Sequence, residues 1–181
     1  PNESGDVIIG KFGGTNFTNG ILIGTTTTGT LNAAQDNIGI GTDSLRDITS
    51  ADSNVAIGSN SGRGITNNGY NVFIGRNSGV SSTGTANVGL GPDSLQGASF
   101  SGGENMAIGF AAGEAISSGQ RNVMIGKDSG KNITTGSGNV IFGTVNADSA
   151  TGDRQLKIAG NDGTTTTTWI SGDSSGVVTA T

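Results

Sequence analysis

A five-residue unit, Asn-Val-x-Ile-Gly, occurs seven times between residues 37 and 143 and constrains the fold more than any other feature of the chain. Successive copies begin 17, 17, 16, 18, 17 and 17 residues apart. Such self-similarity at a short period is the sequence signature of stacked repeat architectures. The asparagines are Asn37, Asn54, Asn71, Asn87, Asn105, Asn122 and Asn139, and the closing glycines are Gly41, Gly58, Gly75, Gly91, Gly109, Gly126 and Gly143. Two degenerate copies without the asparagine occupy residues 6–10 and 20–24.

Each unit is predicted to form a short β-strand, because its apolar residues are two positions apart and therefore share one face. We interpret this Val/Ile face as the inner face, which forms the core. The middle residue points to the opposite face and ranges from glycine to phenylalanine, but it is never charged. We therefore expect this second face to meet protein as well, so that both faces are covered.

The residues after each strand indicate a turn. The closing glycine permits a positive φ, and Ser or Ala follows three residues later in six copies. With 34 glycines and 31% hydrophobic residues, the chain suits closely spaced turns better than one compact core. The prediction is an all-β parallel β-solenoid, or β-roll, with one coil per repeat and an in-register ladder of asparagine side chains.

One coil buries few apolar side chains, so strand pairing and self-association are expected to supply the remaining stability. The simplest assembly is a homotrimeric fibre. We divide the chain into degenerate N-terminal repeats (1–36), the seven-repeat β-roll (37–143) and a separate C-terminal β module (144–181). In this module the period stops, and strands are predicted at 155–159, 165–170 and 177–181. Trp169 is interpreted as a core or trimer-axis anchor, with ligand stacking as the alternative.

Charge and composition exclude several functions. The net charge is −5 without a basic cluster, which argues against nucleic acid, and no apolar run approaches the roughly 20 residues of a membrane span. The chain contains no histidine and no cysteine, so the commonest general base and the commonest metal ligands are missing. We expect no catalytic residues, no cofactor, no metal site and no enzymatic activity.

The repeat resembles those of trimeric autotransporter adhesin heads, which are trimers of parallel β-rolls with shorter repeats. It resembles even more the related repeats in tailed-bacteriophage fibres. The tail, with Leu-Lys-Ile-Ala-Gly-Asn at 156–161 and Trp-Ile-Ser-Gly-Asp-Ser-Ser-Gly at 169–176, is similar to the segment that precedes the self-cleaving chaperone of many phage fibres.

The resemblance implies a trimeric virion fibre that spaces or presents a host-binding surface. Its partners would be other fibre or tail proteins and a host surface glycan or protein. The alternatives are a cell-surface adhesin head and a polysaccharide-cleaving tailspike. Receptor contacts are expected among variable corner residues, because a regular solenoid leaves its loops free to vary; the candidates are Arg63, Asn67, Asn68, Tyr70 and Phe100.

Overall fold

The computed structural model describes residues 11–12, 15–25 and 28–180, and this part of the chain is all-β. The degenerate copy at residues 6–10 lies outside the described residues. The strands are β1 (Lys11–Phe12), β2 (Phe17–Thr18), β3 (Ile21–Ile23), β4 (Ala34–Gln35), β5 (Ile38–Ile40), β6 (Val55–Ile57), β7 (Val72–Ile74), β8 (Val88–Leu90), β9 (Met106–Ile108), β10 (Val123–Ile125), β11 (Val140–Phe142), β12 (Leu156–Asn161), β13 (Thr166–Gly172) and β14 (Val178–Ala180).

Nine of these strands form one parallel ladder in the order β3-β5-β6-β7-β8-β9-β10-β11-β12. The chain advances by one coil between neighbours, and equivalent repeat positions pair, as in Val55 with Val72 and Ile57 with Ile74. This is a parallel β-solenoid of eight coils within the described residues. The predicted solenoid class is therefore confirmed. Strand β1 pairs antiparallel with β3, and β2 with β4 forms a short second sheet.

The strands are short because each is bounded by left-handed backbone. After the strand, the closing glycine has a φ between 127° and 137° in six of the coils, from Gly41 to Gly126. The second residue beyond that glycine is also left-handed, and it is Asp or Asn in five coils, the residue types that tolerate this conformation best. The chain therefore leaves the sheet at the same corner in every coil.

The interior of the solenoid contains the middle residue of each three-residue parallel strand, from β3 to β11. Leu22, Ala56, Phe73, Met124 and Ile141 are all fully or almost fully buried. They pack with apolar side chains from the corner that follows, namely Leu45, Ile48, Ile65, Leu95, Ile116 and Ile133. The prediction that the Val/Ile columns form this core is wrong, since strand alternation places them on the outer surface of the coil.

The three tail strands lie close to their predicted positions, but the first of them belongs to the solenoid. Strand β12 pairs in parallel with β11, with Leu156 opposite Val140 and Ile158 opposite Phe142. The repeat therefore continues one coil beyond Gly143, where the sequence pattern was expected to stop. Strands β13 and β14 then extend the same sheet by antiparallel pairing.

Candidate interaction surface

The outer side of the nine parallel strands carries two unbroken columns of apolar residues, which we call the apolar face. It consists of the first and third residues of each strand: Ile21, Ile23, Ile38, Ile40, Val55, Ile57, Val72, Ile74, Val88, Leu90, Met106, Ile108, Val123, Ile125, Val140, Phe142, Leu156 and Ile158. None of these side chains is polar or charged. In the single chain they are half-buried or exposed, up to 39% for Ile74 and Met106.

The size of this face follows from strand geometry. Nine strands at a spacing of about 4.8 Å make a stripe roughly 38 Å long and about 10 Å wide. An apolar surface of that order is as large as the largest patches on monomeric soluble proteins, which are often functional. It is also regular, because the same two side-chain positions recur at every step of the stripe.

The asparagine column lies directly beside the apolar face and is fully buried. Asn105 shows the pattern: its Nδ2 donates to Asn87 Oδ1 at 3.2 Å and to the Gly119 carbonyl at 2.9 Å. Its Oδ1 accepts from the backbone N of Asn122 at 3.0 Å and from Asn122 Nδ2 at 2.9 Å. The six asparagines from Asn37 to Asn122 each donate in this way to a corner carbonyl and join neighbouring coils, which holds the strands beside them in register.

Gln155 forms the next rung of this ladder. Its backbone N and its Nε2 donate to Asn139 Oδ1 at 2.8 and 3.1 Å. Sequence reasoning missed Gln155, although it lies 16 residues after Asn139 and precedes a Leu-x-Ile strand. Glutamine replaces asparagine at the last coil and keeps the same amide chemistry with a longer side chain.

A serine column supports the opposite end of the strands. The hydroxyls of Ser44, Ser61 and Ser129 donate to the carbonyl of the middle residue in the following coil at 2.8, 2.8 and 3.0 Å. The closing glycines stack beside them without space for a side chain. A Cβ on Gly58 would lie 2.7 Å from the backbone of Gly75. Glycine is needed there for its conformation and for the close approach of successive coils.

The charged residues nearest the apolar face lie along its two edges. The glycine flank, formed by the residue after each closing glycine, includes Arg76 and Lys127, and the asparagine flank, formed by the residue before each asparagine, includes Glu104 and Arg121. Arg121 pairs with Glu104 at 2.7 Å along the asparagine flank. An apolar centre with a polar rim is the usual layout of a protein interface.

The five predicted receptor contacts do not form one surface. Tyr70 is 70% exposed on the asparagine flank, Asn67 is exposed and Arg63 is half-buried. Asn68 and Phe100 are buried, so their prediction as accessible contacts is wrong. Asn68 Nδ2 donates inward to the Gly84 carbonyl at 2.9 Å. Phe100 belongs to the core cluster.

The turns of the tail strands carry the acidic groups with altered acidity. Backbone N–H groups of Thr165 and Thr164, with the Thr164 hydroxyl, stabilise the ionised carboxylate of Asp162 and lower its pKa to about 2. The Ser175 hydroxyl and backbone N–H lower the pKa of Asp173 in the same way. Both carboxylates thus act as turn caps. Within residues 11–12, 15–25 and 28–180, no group of three or more His, Cys, Asp or Glu side chains is arranged to hold a metal ion.

In the described part of the chain, no helix has the length and apolar character needed to cross a lipid bilayer. Comparison of the chain with protein-family models, with curated proteins and with solved structures finds no match.

Proposed function

We propose that this chain is a structural and adhesive segment of a homotrimeric fibre, in which three copies pack their apolar faces around a common axis. The observation that carries the proposal is the apolar face, where eighteen consecutive outward positions hold only apolar side chains. Water contact with such a face is unfavourable, and its burial contributes about 25 cal/mol per Å². The stripe continues along the sheet, so burying it produces a stiff rod.

The partner that fits this face best is another copy of the same chain. The face repeats at the strand spacing of about 4.8 Å, and a matching surface must repeat at the same step to interdigitate along its whole length. Another copy of this chain has the same step, because its strands have the same spacing. The absence of charge on the face removes any electrostatic penalty for packing like against like. The threefold symmetry comes from the resemblance to trimeric adhesin and phage-fibre repeats.

The same resemblance supports a place in the tail fibre of a bacteriophage, where the segment spaces or presents a host-binding surface. The polar corners would then face outward, with Tyr70, Asn67 and Arg63 among the accessible residues. Antibodies raised against the chain should label the tail fibres of intact particles in electron micrographs. Label confined to the capsid, or to the surface of a cell, would contradict this assignment.

Sedimentation of the purified protein tests the assembly. We expect the wild-type chain to sediment as a trimer, and Ile74→Glu to sediment as a folded monomer. The glutamate can reach water in a single chain, because Ile74 is 39% exposed there, but it would be buried in the assembly. Thr135→Glu is the matched control, since Thr135 is an exposed corner residue outside the apolar face. A wild-type chain that is monomeric and folded would overturn the proposal.

A further inference from the structure

The C-terminal hairpin extends beyond the solenoid that it caps. Strand β12 has six residues, but only Leu156, Lys157 and Ile158 pair with β11. The remaining three residues continue straight at the level where earlier coils turn away from the sheet. They pair with β13, as in Gly160 with Thr167 and Asn161 with Thr166. We call this projecting two-stranded part, residues 159–169, the overhang.

The overhang presents an indole on the same side as the apolar face. Residues 158 and 160 share a face, because side chains alternate along a strand. A Cβ on Gly160 would lie 2.5 Å from Cζ2 of Trp169, so the ring lies against Gly160 on that side. Trp169 is the extra residue at a β-bulge, between the pairs Ala159–Thr168 and Ile158–Ile170. Its side chain is 53% exposed.

The apolar face continues through the hairpin towards this indole. Ile170 pairs with Ile158, Ala180 pairs with Ile170, and Val178 lies two residues from Ala180 on the same face. Val178 is 61% exposed. The apolar surface therefore extends beyond β12 onto β13 and β14. At Trp169 it also extends past the glycine flank, along the overhang.

We propose that the overhang is an intersubunit clasp, in which Trp169 packs against the neighbouring copy of this chain. The inference rests on the proposed self-association through the apolar face. In a cyclic assembly, the glycine flank of one copy is adjacent to the next copy. An overhang that projects past this flank, with its apolar side turned towards the axis, lies against that neighbour. A partly exposed tryptophan at the edge of an apolar stripe is the residue type that contributes most at such contacts.

A sugar-binding groove is the competing interpretation of the same indole. A shallow cavity of about 440 Å³ lies beside Trp169 and is lined by Gly160, Asn161, Asp162, Thr165 and Thr167. Its strongest polar groups, however, are engaged within the turn. Asn161 Nδ2 donates to Thr166 Oγ1 at 2.6 Å, and Asp162 Oδ1 accepts from the backbone N of Thr164 and Thr165 at 2.9 and 2.8 Å. These internal bonds favour the clasp, because the amide and the carboxylate are committed to forming the turn.

Tryptophan fluorescence tests the clasp directly, because Trp169 is the only tryptophan in the chain. In the wild-type assembly we expect a blue-shifted emission maximum and weak quenching by acrylamide. In the Ile74→Glu monomer we expect a red-shifted maximum and strong quenching. The control Thr135→Glu should match the wild type in both measurements. Trp169→Ala should raise the concentration at which the assembly dissociates by about tenfold or more, without changing the far-ultraviolet circular dichroism.

The outcomes separate the clasp from the assembly. A wild-type trimer whose Trp169 emission and quenching equal those of the Ile74→Glu monomer would overturn the clasp and leave the trimer intact. If dextran oligosaccharides, added as the probe, then shift the emission of that trimer, the groove is a sugar site instead. A wild-type chain that sediments as a monomer would overturn the assembly and the clasp together.

Discussion

The inward and outward faces of the same three-residue strands differ in the range of side-chain sizes that they contain. The inward positions alternate widely in size, from Gly39 and Gly89 to Phe73, and they are buried within one chain. The outward positions vary little, and all are medium or large apolar residues. A closed interior has a fixed volume that neighbouring coils share, so a large side chain in one coil requires small ones nearby. A repeating outer surface has no such limit, because each rung meets an equivalent rung.

The surroundings of Phe73 show this sharing of volume. A Cβ on Gly79 would lie 2.5 Å from the Phe73 ring, and one on Gly89 would lie 3.0 Å from it. The ring thus occupies space that glycine leaves empty in its own corner and in the next coil. On the inner face, the side-chain sizes of neighbouring coils complement each other. On the outer face, every coil has apolar side chains of similar size.

The largest expected effect is on the inner face. Phe73→Ala should reduce the free energy of unfolding by about 3–5 kcal/mol, because the glycines around the ring cannot fill the resulting cavity. Urea denaturation followed by circular dichroism measures this loss. Sedimentation of the protein that remains folded should still show the wild-type assembly. A loss below about 1 kcal/mol would mean that the coils collapse around the cavity and that the inner volume is not fixed.

The asparagine ladder lies at the start of the strands, beside the apolar face, and its interruption should have the next largest effect. Asn105→Ala leaves the Gly119 carbonyl without its 2.9 Å side-chain donor and the backbone N of Asn122 without its 3.0 Å acceptor. Each of these two buried polar groups costs at least about 1 kcal/mol when it loses its partner, so we expect a total loss of roughly 2–4 kcal/mol in thermal or urea denaturation. Ser118→Ala, at an exposed corner site of the same coil, is the control and should change little. Equal stability of the two variants would show that the ladder is dispensable.

The outer face should respond through assembly rather than through folding of the single chain. Ile74→Ala removes a side chain adjacent in sequence to Phe73, yet in the single chain it opens no cavity. We expect the free energy of assembly to weaken by about 1–2 kcal/mol per chain. In sedimentation experiments, the protein concentration below which the assembly dissociates should therefore be higher than for the wild type. If Ile74→Ala destabilises the single chain as much as Phe73→Ala and leaves the assembly unchanged, the proposed difference between the inner and outer faces is wrong.

The solenoid and its register could be predicted from the sequence, because seven aligned copies determine which residues stack. Which strand face points inward could not be predicted from alternation alone, since both faces are apolar. Alternation identifies the core when the other face is polar, and here that contrast is missing. The size variation between Gly39 and Phe73 was the available signal, because only a volume shared between coils accommodates such a range.

The burial of Phe100 and the role of Gln155 could not be predicted, because both residues lie where the repeat is irregular. A 16-residue spacing is followed by one of 18 between Asn71 and Asn105. Four coils have an isoleucine seven residues after the closing glycine, but Ser82 and Ala98 occupy this position in the two coils of irregular length. Phe100 supplies a buried apolar side chain in this part of the stack, but its position relative to the repeat offered no basis for predicting its burial. Likewise, Gln155 departs from the asparagine pattern, so a search for identical residues ended the ladder one rung too early.

The smallest expected effect is a gain of stability in the serine column, where Ala112 replaces serine. The hydroxyl of Ser61 donates to the carbonyl of Phe73 in the next coil at 2.8 Å. A large side chain on the accepting residue therefore does not prevent this hydrogen bond. The equivalent acceptor for position 112 is the carbonyl of Met124, twelve residues later in both cases. Ala112→Ser should therefore form the missing bond and raise the free energy of unfolding by about 0.5–1 kcal/mol, whereas Ser61→Ala should lower it by a similar amount. Paired urea denaturation curves measure both changes. A destabilised Ala112→Ser variant would show that the Met124 side chain occupies the space of the hydroxyl, and that the inner volume is filled more tightly in this coil than around Phe73.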